Sequence, residues 1–230
     1  MAHRQHRRRP EQLTLPLKRP TWGGRRKGAG RKRGPNAATP HKARPRHKRH
    51  EPVHVTLRLV AGLPSLRRKD VFPVVQRALA AGAEREGFAL VHYSAQSNHL
   101  HLLVEADDAR ALSGGVAGLA IRIARRLNAH LGRRGRVFAG RFHARALTTP
   151  REVRNALAYV LLNSRRHAAE RRADVPALDR CSSSACFDGW AHAPPLESPD
   201  DVGVCAPSTW LLAKGWRRHR LLRSDETPGG

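Results

Sequence analysis

Apolar and polar positions alternate or run together in four stretches of the chain, and this pattern predicts β-strands with at least one buried face. The clearest case is residues 52–60, where apolar residues occupy every second position from Val53 to Leu59 and polar residues lie between them. We expect side chains two positions apart in such a strand to share a face of the sheet. The four predicted strands are residues 52–60, 88–96, 99–106 and 137–147.

Apolar residues recur at helical spacing in three other stretches. The first predicted helix covers residues 68–86. The second follows Asp107 or Asp108, either of which can act as its N-cap. The third begins at Thr149 with a capping box and a proline in the first turn, and it runs to about residue 166. A further short amphipathic helix with a basic end is predicted over residues 210–219.

The order of the first six elements, β-α-β-β-α-β, predicts an α+β domain of the ferredoxin-like type, which is an antiparallel sheet with two helices on one face. The third strand is central in that topology. The helix from Thr149 is then an addition after the last strand. We expect residues 1–50 to be a basic disordered arm, residues 51–168 the folded domain, and residues 169–230 an irregular extension attached by Phe187 and Trp190.

Two histidines interrupt the third predicted strand at positions that share a face. His99 and His101 would present two imidazoles side by side, while Leu100 and Leu102 point into a core. Neutral imidazole is the commonest protein metal ligand, so the pair can form half of a metal site. The alternative is a solvated or hydrogen-bonded pair on a sheet surface.

The charge balance points to a polyanionic partner. The chain has 44 Lys and Arg against 18 Asp and Glu, a formal net charge of +26 in 230 residues. No apolar run approaches the ~20 residues of a membrane span, so we expect no membrane association and favour nucleic acid. The three cysteines are odd in number and lack zinc-knuckle spacing, which predicts reduced thiols in a cytoplasmic protein.

The N-terminal arm is dense in Lys and Arg and contains a single acidic residue, Glu11. Small residues separate the basic ones in residues 23–35, which is loosely similar to an AT-hook and would let arginine enter a minor groove. The alternative is a solvated tail with nonspecific phosphate contacts. The candidate DNA-binding residues here are Arg25, Arg26, Lys27, Arg31, Lys32 and Arg33.

Further arginines lie on the second predicted helix and on the fourth predicted strand. Arginines on a helix are often only a solvated face, but few acidic residues lie nearby to balance them. A phosphate-contacting surface is therefore an equal alternative. These candidate DNA-binding residues are Arg122, Arg125, Arg126, Arg141 and Arg145.

The third predicted helix carries Tyr159 and Asn163, which lie one turn apart and on the flank of its buried stripe. Side chains there can border a cleft. The chain has only two tyrosines, and Tyr93 lies on the second predicted strand as a sheet aromatic. For Tyr159, a packed helix-flank position is the alternative to a chemical role.

These motifs together carry a family resemblance. His99-Leu100-His101 resembles the HUH motif (His, hydrophobic, His) of single-tyrosine nucleases and transposases, and residues 159–163 resemble their Tyr-x-x-x-polar motif. With Gly140-Arg141-Phe142-His143 before them, the arrangement is most similar to REP-associated tyrosine transposases and their insertion-sequence relatives. The resemblance covers about residues 52–167. Ser97 and Ser164 depart from prolines that often flank the two motifs in the family.

The resemblance implies a metal-dependent transposase that cleaves and rejoins DNA. Tyr159 would attack a phosphodiester and form a 5′-phosphotyrosine, leaving a free 3′ hydroxyl. A third polar metal ligand would come from the tyrosine helix, where Asn163 matches, so that His99, His101 and Asn163 would hold Mg²⁺ or Mn²⁺. The implied substrate is single-stranded or hairpin DNA at imperfect palindromes, bound at the nucleoid by a monomer or homodimer.

Two other functions fit the same residues. One is a noncatalytic DNA-binding protein that retains the fold and uses its basic arm. The other is a relaxase or replication initiator with the same chemistry, although such proteins usually carry further domains and little chain is left here for one.

Overall fold

The structure is a computed structural model that describes residues 48–165, 178–192 and 202–228. The predictions for the arm therefore lie outside the described residues, apart from its last three positions. The described strands are β1 (Val53–Arg58), β2 (Glu84–Arg85), β3 (Phe88–Ala95), β4 (His99–Ala106) and β5 (His143–Ala146). The described helices are α1 (Phe72–Ala80), α2 (Ala109–His130), α3 (Pro150–Leu161) and α4 (Trp210–Ala213).

The strands form one antiparallel sheet in the order β2-β3-β4-β1-β5. The predicted α+β class with an antiparallel sheet is confirmed. Strand β4, which carries the histidine pair, lies between β3 and β1 in the middle of the sheet. A central strand has both edges hydrogen-bonded, so its side chains are held at fixed positions on each face.

The two faces of the sheet are covered by different helices. Leu100, Leu102 and Val104 of β4 belong to a core with apolar residues of α1 and α2. Leu103, which points the other way, belongs to a second core with α3. Because side chains alternate along β4, His99 and His101 share the face of Leu103. The histidine pair therefore lies on the face that α1 and α2 leave open and that α3 approaches.

Two helix starts follow the capping chemistry predicted from the sequence. The Asp108 side chain accepts a hydrogen bond from the Ala111 N–H at 2.7 Å and caps α2. Thr149 and Glu152 form a reciprocal capping box at the start of α3. The third helix ends at Leu161, earlier than predicted.

The first helix and the last strand are shorter than the sequence pattern suggests. Helix α1 begins at Phe72 with proline in its first turn and ends before Gly82, so the prediction of a helix over residues 68–86 is wrong at both ends. A Cβ at Gly82 would lie 3.0 Å from the Leu119 side chain of α2, so a larger residue fits there only if Leu119 shifts. Strand β5 retains only four residues of the predicted 137–147, with Phe138 in an isolated bridge to Leu59.

The C-terminal extension is attached to the domain at two places. Its residues 181–183 hydrogen-bond to the outer edge of β3, with Ser94 opposite Ser182. Phe187 and Trp190 are buried in the second core, as predicted. The predicted helix over residues 210–219 is divided into α4 and a 3₁₀ turn from Gly215 to His219. No disulfide joins Cys181, Cys186 and Cys205 in the described part of the chain.

No helix in the described ranges combines the length and the apolar composition that crossing a bilayer would require.

Two adjacent glycines of α2 should respond oppositely to alanine. A Cβ at Gly115 would overlap the buried Phe88 ring, whereas a Cβ at Gly114 would meet only the Arg85 guanidinium, at 3.5 Å. We expect Gly115→Ala to lower the free energy of unfolding by about 1–3 kcal/mol through overpacking. Gly114→Ala should raise it by about 0.5–1 kcal/mol through helix propensity. Urea denaturation of both variants tests this, and equal effects would contradict the packing described.

Candidate active site

The histidine pair of β4 brings two ring nitrogens together. The Nε2 atoms of His99 and His101 lie 2.9 Å apart, and the rings meet edge-on with centroids 4.6 Å apart. His101 is buried and His99 is half-buried. The other nitrogen of His99, Nδ1, lies 2.8 Å from the Asn98 side-chain oxygen, which fixes the ring orientation. Two neutral imidazoles in this geometry can share a proton or bind one cation.

A third histidine, which the sequence analysis did not single out, completes the cluster from β1. His54 Nε2 lies 3.2 Å from His101 Nδ1, and Thr56 Oγ1 lies 3.3 Å from the same atom. In the β1–β4 register Thr56 is opposite His101 and His54 is opposite Leu103, so all of them share one face. The alternation of residues 52–60 already placed His54 on a polar face, but the register that brings it beside His101 requires the sheet.

Helix α3 places Tyr159 against this cluster. The Tyr159 ring centroid lies 4.9 Å from that of His101 and 5.8 Å from that of His54, with both pairs edge-on. Within the described residues the Tyr159 hydroxyl makes no hydrogen bond, and the side chain is half-buried. The capping box fixes the start of α3, and apolar residues on either side of Tyr159 hold the helix on the sheet. The structure thus brings Tyr159 and the histidine pair together.

Asn163 lies just beyond the end of α3 and is 1% exposed. Neither its Oδ1 nor its Nδ2 has a hydrogen-bond partner among the described residues. An unpaired buried amide costs ~1–3 kcal/mol, so such a group is unusual in a folded core. This is the kind of polar group that a ligand would satisfy.

The electrostatic surroundings keep His54 neutral. Burial, followed by the charges of His143 and Arg145, lowers the pKa of His54 to about 4. His143 lies opposite Thr56 and Arg145 lies opposite His54 in the β1–β5 register, which explains why both act on it. At neutral pH the His54 ring is therefore uncharged, and its Nε2 either donates to or accepts from His101 Nδ1, according to the tautomer.

The polar side chains of this site provide three ligands for a divalent cation only if the Asn163 amide is one of them. In the described part of the chain, no three His, Cys, Asp or Glu side chains converge on one point. His54 and His99 approach opposite nitrogens of His101, so the three rings cannot share an ion. The two Nε2 atoms, however, lie 2.9 Å apart, close to the ~3 Å expected of neighbouring ligands at ~2.0–2.1 Å from a metal. The orphaned amide of Asn163 is a chemically suitable third ligand.

The predicted DNA-contacting residues are distributed over both sides of the sheet. Arg141 and Arg145 are exposed near the histidine face, and Arg145 Nη2 lies 2.7 Å from Glu152 Oε1 of α3. Arg122, Arg125 and Arg126 are exposed on α2, which covers the opposite face, so they are not brought to the cluster. The remaining candidates, Arg25, Arg26, Lys27, Arg31, Lys32 and Arg33, lie outside the described residues.

His92 is a second buried histidine on this face of the sheet, and it should make the free energy of unfolding depend on pH. His92 contacts the Ser183 hydroxyl at 3.1 Å, and burial lowers its pKa to about 4 from 6.5. The unfolded chain takes up a proton below about pH 6.5 while the folded His92 does not, so stability is lost as the pH falls from about 6.5 to 4. The shift corresponds to about 3 kcal/mol at pH 4. We expect His92→Gln to flatten this slope in urea denaturation, whereas His192→Gln, at an exposed position, should leave it unchanged. Equal slopes of unfolding free energy against pH in the wild type and His92→Gln would contradict the assignment of this acid sensitivity to His92.

Comparison with known proteins adds a distant structural similarity. No family model matches the chain, and no curated protein matches its sequence. Among solved structures, the chain is similar to a REP-associated tyrosine transposase bound to a REP hairpin. The two are 15% identical with a TM-score of 0.45, over 56% of this chain and 74% of the other. This is a distant likeness of fold, and the site has to be interpreted from its own residues.

Proposed function

We propose that this protein is a single-tyrosine HUH transposase that cleaves and rejoins single-stranded or hairpin DNA through a 5′-phosphotyrosine intermediate. The observation that carries the proposal is the contact between Tyr159 and His101, whose ring centroids lie 4.9 Å apart, beside a second imidazole at 2.9 Å. A phenol this close to converging imidazole nitrogens suits nucleophilic chemistry on a phosphate. We assign the ferredoxin-like topology to the domain, with β2 as an added edge strand.

In this mechanism the Tyr159 oxygen attacks the phosphorus of a phosphodiester. A bond forms between the tyrosine oxygen and phosphorus, and the bond from phosphorus to the 3′ oxygen breaks. The phenol proton is released to water, because the half-buried Tyr159 side chain remains accessible to solvent, and the departing 3′ oxygen takes up a proton from water to become a hydroxyl. Attack by a 3′ hydroxyl on the phosphotyrosine reverses these steps and joins two strands, with the phenol as the leaving group.

His99, His101 and Asn163 would hold a divalent metal ion, Mg²⁺ or Mn²⁺. Such an ion, when bound, supplies charge neutralisation at the phosphate and at the leaving oxygen. His54 and Thr56 occupy the Nδ1 side of His101 and thereby leave its Nε2 directed towards His99. We assign these two residues a positioning role, of the kind that orients metal-bound histidines in other proteins.

The substrate proposal follows from access and charge. Tyr159 lies between α3 and the sheet, so a phosphate has to reach a recessed group that a paired duplex would approach poorly. The net charge of +26 would capture such a strand in a salt-dependent manner and retain the protein at the nucleoid.

The test is formation of a covalent protein–DNA adduct. Purified protein would be incubated with Mn²⁺ and labelled single-stranded hairpin DNA, and the products separated under denaturing conditions. We expect an adduct through Tyr159 together with a released fragment that ends in a 3′ hydroxyl. Noncovalent binding without any adduct, across a panel of hairpins, would instead support the noncatalytic DNA-binding function.

A further inference from the structure

A cleft of about 770 Å³ opens between the start of α1 and the C-terminal extension. One wall consists of residues 67–69 with Phe72, Pro73 and Gln76, and the other consists of residues 178–182 with Ser184 and Ala185. Its volume lies within the ~300–1,000 Å³ typical of ligand sites. The proposed chemistry of Tyr159 does not involve these walls.

The cleft carries more positive than negative charge. Four basic side chains line it: Arg67, Arg68, Lys69 and Arg180. Asp179 is the one carboxylate among its described lining residues, and Arg67 neutralises it through two hydrogen bonds of 2.8 Å. Arg68 is paired in the same way with Asp70, at 2.9 and 2.8 Å. Lys69 and Arg180 are exposed and form no ion pair within the described residues. The cleft therefore keeps an uncompensated positive charge that favours an anion.

Hydrogen bonds hold the backbones of the two walls on the same strand. Arg67 also donates to the Ala95 carbonyl oxygen at 3.0 Å, which ties the first wall to the end of β3. The second wall is tied to the same strand, because the Ala95 N–H donates to the Cys181 carbonyl at 2.7 Å. An anion in the cleft therefore orders the exposed Lys69 and Arg180 side chains but not the backbone that carries them.

The segment of chain that carries Tyr159 also reaches the cleft. Ser164, the residue after the buried Asn163, forms part of the cleft lining. Tyr159 precedes Ser164 by five positions, on the helix that ends at Leu161. The cleft therefore lies near the end of the helix that holds the proposed nucleophile.

We propose that this cleft binds the phosphodiester backbone of single-stranded DNA next to the phosphate that Tyr159 attacks. The inference rests on the proposed function only in placing the cleft next to the reacting phosphate. Phosphate recognition itself does not depend on that function, because the cationic walls recognise phosphates whether or not cleavage follows. Lys69 and Arg180 make the phosphate contacts, and Arg67 holds the extension in place as a positioning residue.

The experiment measures noncovalent binding of a mixed-sequence single-stranded DNA in the Tyr159→Phe background, so that no adduct traps the strand. Lys69→Gln/Arg180→Gln should weaken binding and make the slope of log K against log salt shallower by about 1.4, as expected for two lost phosphate contacts on a single strand. The matched control is Arg77→Gln/Arg110→Gln, which removes the same charge from exposed positions outside the cleft. The control should change the slope much less.

Two further DNA substrates complete the binding experiment. A strand with neutral methylphosphonate linkages should bind the cleft variant and its parent equally, and duplex DNA should show a smaller difference than the single strand. Identical slopes for the cleft variant and the control would overturn the proposal, even if wild-type protein forms the adduct. A shallower slope without any adduct would retain the cleft and reject the transposase function. Thermal melting confirms that each variant is folded.

Discussion

Tyr159→Phe should abolish the covalent protein–DNA adduct and leave noncovalent DNA binding unchanged. The substitution removes one oxygen atom from a half-buried ring that contacts His101 and His54, so the packing of α3 on the sheet is retained. Without the hydroxyl no nucleophile remains at that position, and the loss should be complete rather than partial. Denaturing electrophoresis measures the adduct, and fluorescence anisotropy measures binding.

Tyr93→Phe is the control, because Tyr93 is the only other tyrosine in the chain. Its ring is fully buried and its hydroxyl donates to the Val202 carbonyl at 3.3 Å. We expect this variant to lose about 1 kcal/mol of stability and to keep the adduct. An adduct that survives Tyr159→Phe would remove Tyr159 from the chemistry and with it the proposed mechanism.

The second large effect concerns metal binding by the histidine pair. We expect Mn²⁺ at 100 times its dissociation constant to raise the free energy of unfolding of the wild type by about 2.7 kcal/mol. His99→Gln/His101→Gln should remove this gain, because the converging Nε2 atoms are lost. His143→Gln changes an exposed histidine of β5 and should keep the gain. Thermal or urea denaturation with and without Mn²⁺, followed by EDTA, measures each case.

The variant Asn163→Leu tests whether Asn163 is a metal ligand or only a buried residue. The Asn163 amide has no partner in the described structure, so leucine of similar volume should leave the metal-free protein equally stable or more stable. If Asn163 is the third ligand, the same variant should bind Mn²⁺ more weakly. Unchanged Mn²⁺ affinity would exclude it, and failure of Mn²⁺ to stabilise the wild type would exclude the metal site altogether.

Local patterns predicted some elements closely because their determinants are neighbours in the sequence. Strand β4 has the predicted bounds, since residues 99–106 are mostly apolar with the two histidines on one face, and a short turn precedes them. Helix α3 starts where Thr149 and Glu152 place a capping box. The predictions failed where a distant contact decides the outcome. Helix α1 ends at Ala80, and the chain that follows it packs at Gly82 against Leu119 of another helix, a contact that the local pattern does not contain.

The residues of the candidate site also divide into those that a local pattern predicts and those that depend on distant contacts. The shared face of His99 and His101 follows from their spacing alone, because alternation in a strand depends only on backbone geometry. The position of His54 beside them and the packing of Tyr159 against His101 do not follow from local spacing, because strand register and helix docking depend on which distant surfaces bury each other. The tertiary structure also decided that Arg122 lies on the far layer of the domain, since the choice of sheet face for α2 is made by its apolar stripe and not by its charges.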